Sequence, residues 1–397
     1  MRFVAAAVSV VLSVPILGAP YQAPRASAIF RFESDEFWLN LHKFLYVLGR
    51  AENKTADATR GPVAGAPEEA GRLLASLPPA DRAAWAEAVT AYAKGLSRRE
   101  PTQDHELALL EGRLADIDDA PSVQGANVGE PLREVLERAA PVYRTTWWPS
   151  HRASNRAWVA AMQPLVAAHG AQVLQTITRA YGLPWPAAGY PVHAVTYASW
   201  AGAYSTDGNL LIVSTNTGAG TAGFSGLESV FHESLHQWDD QVESLLQAQI
   251  RVTSGRLPPG LSHAIVFFTS AEAVRRVAPA GYATVADASG VWQRGLSGLK
   301  DPLTETWLPY LNGRGTRDDA LAALVRRTAR PAPRARIRSS TAPSFWSPAL
   351  IPRRKAYPVS RWCSTKRCTN GIHRPSARSA RTRKSSTSLY RAIFLTR

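Results

Sequence analysis

The residues with the clearest chemical potential lie in the stretch LESVFHESLHQWDDQ, residues 227–241. It contains His232 and His236 four positions apart, with Glu233 directly after the first histidine. Residues four apart lie on one side of an α-helix, so the two imidazoles can reach the same metal ion. The intervening glutamate is too far round the helix to ligate, but it can take a proton from the water that the metal activates. This H-E-x-x-H pattern predicts a zinc (Zn2+) site with His232 and His236 as ligands and Glu233 as general base.

A catalytic zinc site needs a third protein ligand, and few residues after the motif can supply one. Glu243 lies on the same side of the motif helix but about 10 Å along it from His236, which is beyond reach. No carboxylate occurs between positions 244 and 271, and the next one is Glu272, in LSHAIVFFTSAEAVRR. We therefore predict Glu272 as the third ligand.

Two other interpretations of this segment stay open. Glu272 can instead be a surface glutamate paired with Arg276, four residues further on. His263 is a rival ligand; in a continuous helix it lies about 13 Å and half a turn from Glu272, so the two cannot bind one metal ion. His263 can also face a substrate, or satisfy a backbone group in the first helical turn.

The arrangement resembles the gluzincin group of zinc metallopeptidases, in which strands precede the H-E-x-x-H helix and a glutamate on a second helix follows it. The segments FWLNLHKFLY, VFHESLHQ and FFTSAEAVRR also resemble a family of secreted bacterial proteins classed as peptidases without known substrates, over residues 30–324. The resemblance implies that His232, His236 and Glu272 bind zinc and that Glu233 acts as general base and then as proton donor. Glu272 follows His236 by 36 residues, a longer spacing than is usual in gluzincins.

Other polar residues can support such a site. We expect Asp240, one turn after His236, to accept the free ring N–H of that histidine and fix its tautomer, although an exposed aspartate is equally compatible with the sequence. Tyr282, in GYATV, is the predicted donor to the developing oxyanion, with Tyr204 and His263 as alternatives.

Helical periodicity and Pro or Gly punctuation locate the elements that must position these residues. Helices are predicted after Ser34 and at 79–95, 104–114, 130–139, 151–181, 261–277 and 318–327. The stretch 190–217 is rich in β-branched and aromatic residues and is broken by Gly202 and Gly208, which is typical of short antiparallel strands joined by tight turns. We expect the strand 209–214 to be the edge strand that pairs with an extended peptide, as in gluzincins.

The motif helix is expected to begin at Ser225, because Ser225 and Glu228 have the spacing of a capping box. Its apolar residues then form a stripe that faces the core, and the two imidazoles flank that stripe. Together these elements predict an α+β, mostly helical, zincin-like fold with a short antiparallel sheet preceding the H-E-x-x-H helix.

The formal net charge of +15 for 397 residues is unevenly distributed. Residues 331–397 hold 16 Lys and Arg and no Asp or Glu, which leaves 30 basic and 31 acidic residues before them. This Arg-, Ser- and Pro-rich tail is expected to be disordered. Its charge would suit nucleic acid or an anionic membrane, and a shifted reading frame in a GC-rich gene would give the same composition, so we assign it no function. Both cysteines, Cys363 and Cys368, lie there, so any metal in the body must be held by His and carboxylates.

The N-terminus combines one arginine, an apolar run over 3–19 and a small-residue cleavage site ending at Ala28. These features predict a signal peptide over 1–28 and a secreted or periplasmic protein; an uncleaved membrane anchor is the competing interpretation. The remaining segments are predicted to be a helical N-terminal subdomain (29–185), a zinc-binding catalytic subdomain (186–330) and the basic tail.

The sequence thus predicts a zinc-dependent hydrolase, and specifically a metallopeptidase, that acts on a peptide or protein substrate. No nucleic-acid partner and no stable membrane anchor are expected. A zinc hydrolase of another amide or ester is the first alternative. The second is a basic, non-catalytic binding protein that carries an idle motif.

Overall fold

The computed structural model describes residues 29–53, 65–199, 202–206, 210–216, 220–253 and 255–331. The strands are β1 (Phe30–Glu33), β2 (Tyr190–Val195), β3 (Ala203–Thr206), β4 (Leu210–Ser214), β5 (Gly255–Arg256) and β6 (Arg330–Pro331). The helices of the first half are α1 (Phe37–Glu52), α2 (Ala66–Leu74), α3 (Pro79–Lys94), α4 (His105–Ala115), α5 (Glu130–Thr146), α6 (Trp148–Leu165) and α7 (Ala171–Tyr181). The helices of the second half are α8 (Gly223–Leu235), α9 (Asp239–Ile250), α10 (Leu261–Arg275), α11 (Val285–Ala288), α12 (Val291–Arg294), α13 (Lys300–Leu311) and α14 (Arg317–Thr328).

Most of the predicted helices are present close to their predicted bounds, and the α+β, mostly helical class is confirmed. The predicted helix 151–181 is two helices, α6 and α7, joined by a π-helical turn at Val166–Gly170. Helices α2, α11, α12 and α13 were not predicted. None of the described helices is both long and apolar enough to span a bilayer. The predicted signal peptide, and the predicted tail after Pro331, lie outside the described residues.

The larger sheet has the strand order β1-β2-β4-β3. Strand β2 runs parallel to β1 and β4, and only β3 pairs antiparallel, with β4. The predicted antiparallel pairing therefore holds for one pair, and the sheet is mixed. Its edge next to β4 is β3, so the prediction of 209–214 as the edge strand is wrong. The unbroken apolar run of β4 is typical of a strand covered on both faces, and every residue of β4 is buried.

The sheet separates two hydrophobic cores, because alternate residues of each strand point to opposite faces. In β4, Leu211 and Val213 join a core with α6, α7, α8 and α10, whereas Leu210 and Ile212 join a core with α1, α3, α4 and α5. These cores cut across the predicted boundary at residue 185, since α6 and α7 pack in the same core as α8 and α10. Helix α8 contacts β3, β4, α6 and α10, which places the H-E-x-x-H motif between the sheet and α10.

The start of α8 depends on a close backbone approach. Helix α8 begins at Gly223, so the predicted start at Ser225 is two residues late. A Cβ on Gly226 would lie 2.6 Å from the Thr221 carbonyl oxygen and 2.7 Å from a methyl group of Met162, so only glycine fits. The expected capping box is absent, because Glu228 turns inward and accepts hydrogen bonds from Tyr282 and from the Val285 N–H instead.

Candidate metal centre

The H-E-x-x-H motif spans a change in helix type. Helix α8 ends at Leu235, a 3₁₀ turn runs from His236 to Trp238, and α9 starts at Asp239. Phe231 and Leu235 are buried in the core as predicted, and they fix the rotation of α8 about its axis. His232 and Glu233 are therefore held inside the protein, at 3% and 4% exposure.

Three imidazoles converge at this point: His232, His236 and His263. One ligand nitrogen from each lies within 4.8 Å of the other two. The ring centroids are 5.1 Å apart for His232 and His236, 5.3 Å for His232 and His263, and 5.1 Å for His236 and His263. His263 comes from the first turn of α10, which packs against α8.

The nitrogen positions suit a common ion. The Nε2 atoms of His232 and His263 are 3.3 Å apart. Two nitrogens bound to one tetrahedral zinc at about 2.0–2.1 Å are themselves separated by about 3.3–3.4 Å. Three imidazoles also match the ligand number of a catalytic zinc site, which keeps its fourth position for water or substrate.

Burial keeps two of these imidazoles in the form that binds metal. Burial, together with the neighbouring imidazoles, lowers the pKa of His232 and of His263 well below the usual value. The ring of Phe267 lies 4.0 Å from the His232 ring and 4.8 Å from the His263 ring, and it supplies an apolar wall. Metal binding requires neutral imidazole, so this environment favours a ligand over a cation.

The third imidazole is oriented by a carboxylate. His236 Nδ1 and Asp239 Oδ2 are 2.8 Å apart, which leaves Nε2 of His236 to face the other two histidines. Burial alone would lower the pKa of His236, but the charge and hydrogen bond of Asp239 raise it to about 9. The prediction that Asp240 plays this part is wrong, because the 3₁₀ turn brings the residue three positions after His236, and not four, next to its ring. Asp240 is exposed.

Glu233 lies beside the imidazoles, as the motif requires of a general base. Its carboxylate oxygens are 4.0 Å from His232 Nε2 and 3.9 Å from His236 Nε2. Burial raises the pKa of Glu233 to about 7, while the charge of His236 and a hydrogen bond from the backbone N–H of Ser205 act against that rise. A carboxylate with a pKa near neutrality can both accept and return a proton.

Glu272, the predicted third ligand, is not part of the group of converging side chains, and His263 is the third member instead. The Glu272 carboxylate pairs with Arg275, on the same helix, and its surroundings also include Asp287 and Lys300. As expected, His263 and Glu272 are about two and a half helical turns apart on α10 and lie on opposite sides of it. The packing of α10 against α8 therefore decides which of the two faces α8.

Tyr282, the predicted oxyanion donor, is occupied elsewhere. Its hydroxyl donates to Glu228 Oε2 at 2.8 Å, one turn before His232, and its ring packs against Phe224. The alternative, Tyr204, points to the opposite face of the sheet, where its hydroxyl lies between Lys43 and Glu111.

Sequence reasoning left His263 as a rival and missed Asp239 and Ser205. One signal favoured His263: it is the first residue of any ligating type after Glu243. The contribution of Ser205 is a backbone N–H, which every residue except proline has, so its residue type carries no signal.

No protein-family model, curated protein or solved structure significantly matches this chain. The gluzincin resemblance therefore stays a prediction from the motif and its flanking segments.

Proposed function

We propose that this protein is a zinc-dependent hydrolase that cleaves peptide bonds, with His232, His236 and His263 as zinc ligands. The observation that carries the proposal is the convergence of a third imidazole on the H-E-x-x-H pair, with two ligand nitrogens 3.3 Å apart. If His232 and His236 were incidental residues of a core helix, there would be no reason for a third imidazole from another helix to lie at metal-ligand spacing from them.

The chain's own residues divide the chemical work. A bound zinc ion supplies Lewis acidity that polarises a carbonyl and makes water more acidic. Glu233 accepts the proton of the attacking water and then gives it to the departing amine, which its pKa of about 7 permits in both directions. Asp239 holds the His236 ring in the required tautomer. The side chain of His236 is the most exposed of the three imidazoles, at 18%, and marks the side from which substrate would approach.

Metal binding by matched variants tests the ligand set. The full chain is stripped with a chelator, reloaded with zinc and measured for zinc per chain. We expect one zinc in the wild type, loss of that zinc in His263→Ala, and retention in Glu272→Gln, which removes the competing candidate. A wild type that binds no zinc contradicts the proposal, and loss of zinc in Glu272→Gln alone would restore the glutamate ligand.

Turnover tests the catalytic half of the proposal. Glu233→Gln keeps the size of the side chain and removes the base, so it should retain zinc and lose about 10²- to 10⁴-fold in kcat on a quenched-fluorescent peptide library. Parallel assays with ester and non-peptide amide substrates separate a peptidase from another zinc hydrolase. Zinc binding without turnover of any of these substrates would favour an idle motif.

A further inference from the structure

The ring of one aromatic side chain, Phe267 of α10, lies against two of the three imidazoles of the metal centre. Its centroid is 4.0 Å from that of His232, with 40° between the planes, and 4.8 Å from that of His263, with 33° between the planes. Both contacts are therefore nearer to stacking than to an edge-on arrangement. Phe267 is 2% exposed, so its ring is enclosed together with the two imidazoles.

Helix geometry and helix packing together place this ring. Phe267 follows His263 by four residues on α10, so the two side chains lie one turn apart on the same side of the helix. Because α10 packs against α8, the same ring also meets His232 of α8. The ring of Trp292, on α12, lies 6.4 Å from that of Phe267 and contacts it edge-on. Phe267 is thus held between α8, its own helix and α12.

The orientation of each imidazole matters because the lone pair of its ligand nitrogen lies in the ring plane. For His236, the contact with Asp239 sets that orientation. For His232 and His263, the flat face of the Phe267 ring limits rotation about the outer side-chain bond, since a turned ring would collide with it. The nitrogens at the ring edges can still point toward an ion, because the contact covers the ring faces.

A fixed separation between two ligand nitrogens favours metal binding. A side chain that loses rotational freedom when it binds an ion lowers the affinity for that ion, whereas a side chain ordered by packing loses that freedom when the chain folds. The Nε2 atoms of His232 and His263 are 3.3 Å apart, which matches the separation of two ligands on one tetrahedral zinc. The Phe267 ring contacts both members of this pair at once, so it can fix the separation between them.

We propose that Phe267 is a positioning residue that holds the rings of His232 and His263 at metal-ligand spacing before an ion binds. This inference rests on the proposed function for the identity of the ligands. It goes beyond that function because it assigns the affinity of the site in part to an apolar side chain, which has no ligand atom of its own.

A matched pair of variants, Phe267→Leu and Phe268→Leu, tests this role in the full chain. Phe268 is the next residue of α10, is 4% exposed, and also lies 6.4 Å from the Trp292 ring, with a similar angle between the planes. The described residues give the Phe268 ring one aromatic partner, Trp292, so its substitution opens the same core without uncovering an imidazole. Phe267→Met is a second variant, which fills a volume close to that of phenylalanine but has no flat ring.

Three quantities are measured. Competition with a fluorescent chelator gives the zinc dissociation constant, and the visible absorption of the Co2+-loaded chain reports the coordination geometry. Nuclear magnetic resonance of the metal-free chain with isotope-labelled histidine reports the order of the rings, and His232→Gln and His263→Gln variants assign their signals.

We expect Phe267→Leu and Phe267→Met to weaken zinc binding by about 10- to 100-fold, the range typical for loss of a group that orients a metal ligand. Their Co2+ absorption should be weaker than that of the wild type, because distortion from a tetrahedral geometry lowers its intensity. The ring signals of His232 and His263 should broaden in both metal-free variants as the rings begin to exchange between orientations. Phe268→Leu should match the wild type in all three measurements.

Wild-type zinc affinity in both Phe267 variants, or an equal loss in Phe268→Leu, overturns the inference and leaves the proposed function standing. If the wild type binds no zinc, the proposed function fails. The ring signals of the metal-free chains then still decide whether Phe267 orders the two imidazoles, because unchanged signals in both Phe267 variants overturn the inference.

Discussion

At the scale of single residues, a third ligand from His263, and not from the predicted Glu272, would change the net charge of the proposed metal centre. A carboxylate ligand would offset part of the charge of a divalent ion, whereas three neutral imidazoles leave it in full. The two acidic residues close to the imidazoles then have roles other than metal binding. Glu233 lies beside the imidazole nitrogens as the proposed base, and Asp239 contacts the Nδ1 side of the His236 ring. A three-histidine set is thus consistent with strong polarisation of a substrate carbonyl.

The contact between Asp239 and His236 leads to a first prediction. Asp239→Asn keeps a hydrogen-bonding group but removes the charge that favours the required tautomer, so zinc affinity should fall by about 10- to 100-fold. Zinc dissociation constants from competition with a fluorescent chelator measure the change. Asp240→Asn, at the exposed neighbouring position, is the control and should bind zinc as the wild type does. Equal losses in both variants would mean that general charge, and not the contact with His236, sets the affinity.

The buried Glu228 leads to a second prediction, on pH. Burial raises the pKa of Glu228 to about 7, against hydrogen bonds from Tyr282 and from the Val285 N–H that act to lower it. Between pH 4.5 and 7 the unfolded chain has lost this proton while the folded chain keeps it, so the free energy of unfolding falls as pH rises through that window. The loss amounts to about 3 kcal/mol and is complete above pH 7.

Urea unfolding of the metal-free chain at several pH values measures this effect. Glu228→Gln does not titrate, and its amide can still pair with Tyr282 and the Val285 N–H, so its stability should change less with pH than that of the wild type over the same window. Glu233 titrates in both proteins, so their difference isolates Glu228. Parallel pH profiles for the two proteins would show that Glu228 does not titrate in this range.

At the scale of elements, the break between α8 and α9 determines the surroundings of the centre. One continuous α-helix would place Asp240 under the His236 ring, and the 3₁₀ turn places Asp239 there instead. At its other end, the first turn of α8 packs tightly against the chain that precedes it, because Gly226 lies close to the Thr221 backbone.

Gly226 tests how much that first turn matters. In Gly226→Ala the new methyl group would meet the Thr221 carbonyl oxygen, a backbone atom that cannot move aside alone, so we expect a loss of about 1–3 kcal/mol in the free energy of unfolding. Gly112→Ala is the matched control. Gly112 lies within α4 with open space around it, so alanine there should stabilise by about 0.5–1 kcal/mol. Chemical denaturation measures the free energy of unfolding of both variants. A Gly226→Ala protein as stable as the wild type would contradict the steric argument.

At the scale of the whole molecule, one four-stranded sheet lies between two hydrophobic cores that support different groups of polar residues. One core positions the imidazoles through α8 and α10, and the other surrounds the buried Lys43–Glu111 pair. Because both cores bury residues of β4, a change in one core can reach the other through the sheet.

The buried pair leads to a fourth prediction, on global stability. Removing one partner, by Lys43→Met or Glu111→Gln, leaves an unpaired polar group in a dry core and should cost about 3–5 kcal/mol. The double variant should be more stable than the sum of the single losses implies, by about 1–3 kcal/mol. The exposed pair of Arg138 and Glu87 is the control, and its double-variant cycle should give less than about 1 kcal/mol. Similar couplings for the two pairs would mean that burial adds nothing to the interaction.

Much of this protein could be predicted from local patterns. The helices α1, α3, α4, α10 and α14 follow from apolar spacing and punctuation over a dozen residues, and that signal is present in the chain itself. Pairing of strands was less accessible: β2 and β4 are parallel neighbours with β3 outside them, and short apolar strands carry little information on their partners.

The sequence by itself determined the imidazole pair of His232 and His236 and the place of Glu233 beside it, because helical geometry acts over four residues. Only the tertiary structure decided that His263 and not Glu272 completes the group, that Asp239 orients His236, and that β3 packs against α8. Each of these depends on how one element rotates and packs against another, and a free-energy balance over the whole core sets that rotation.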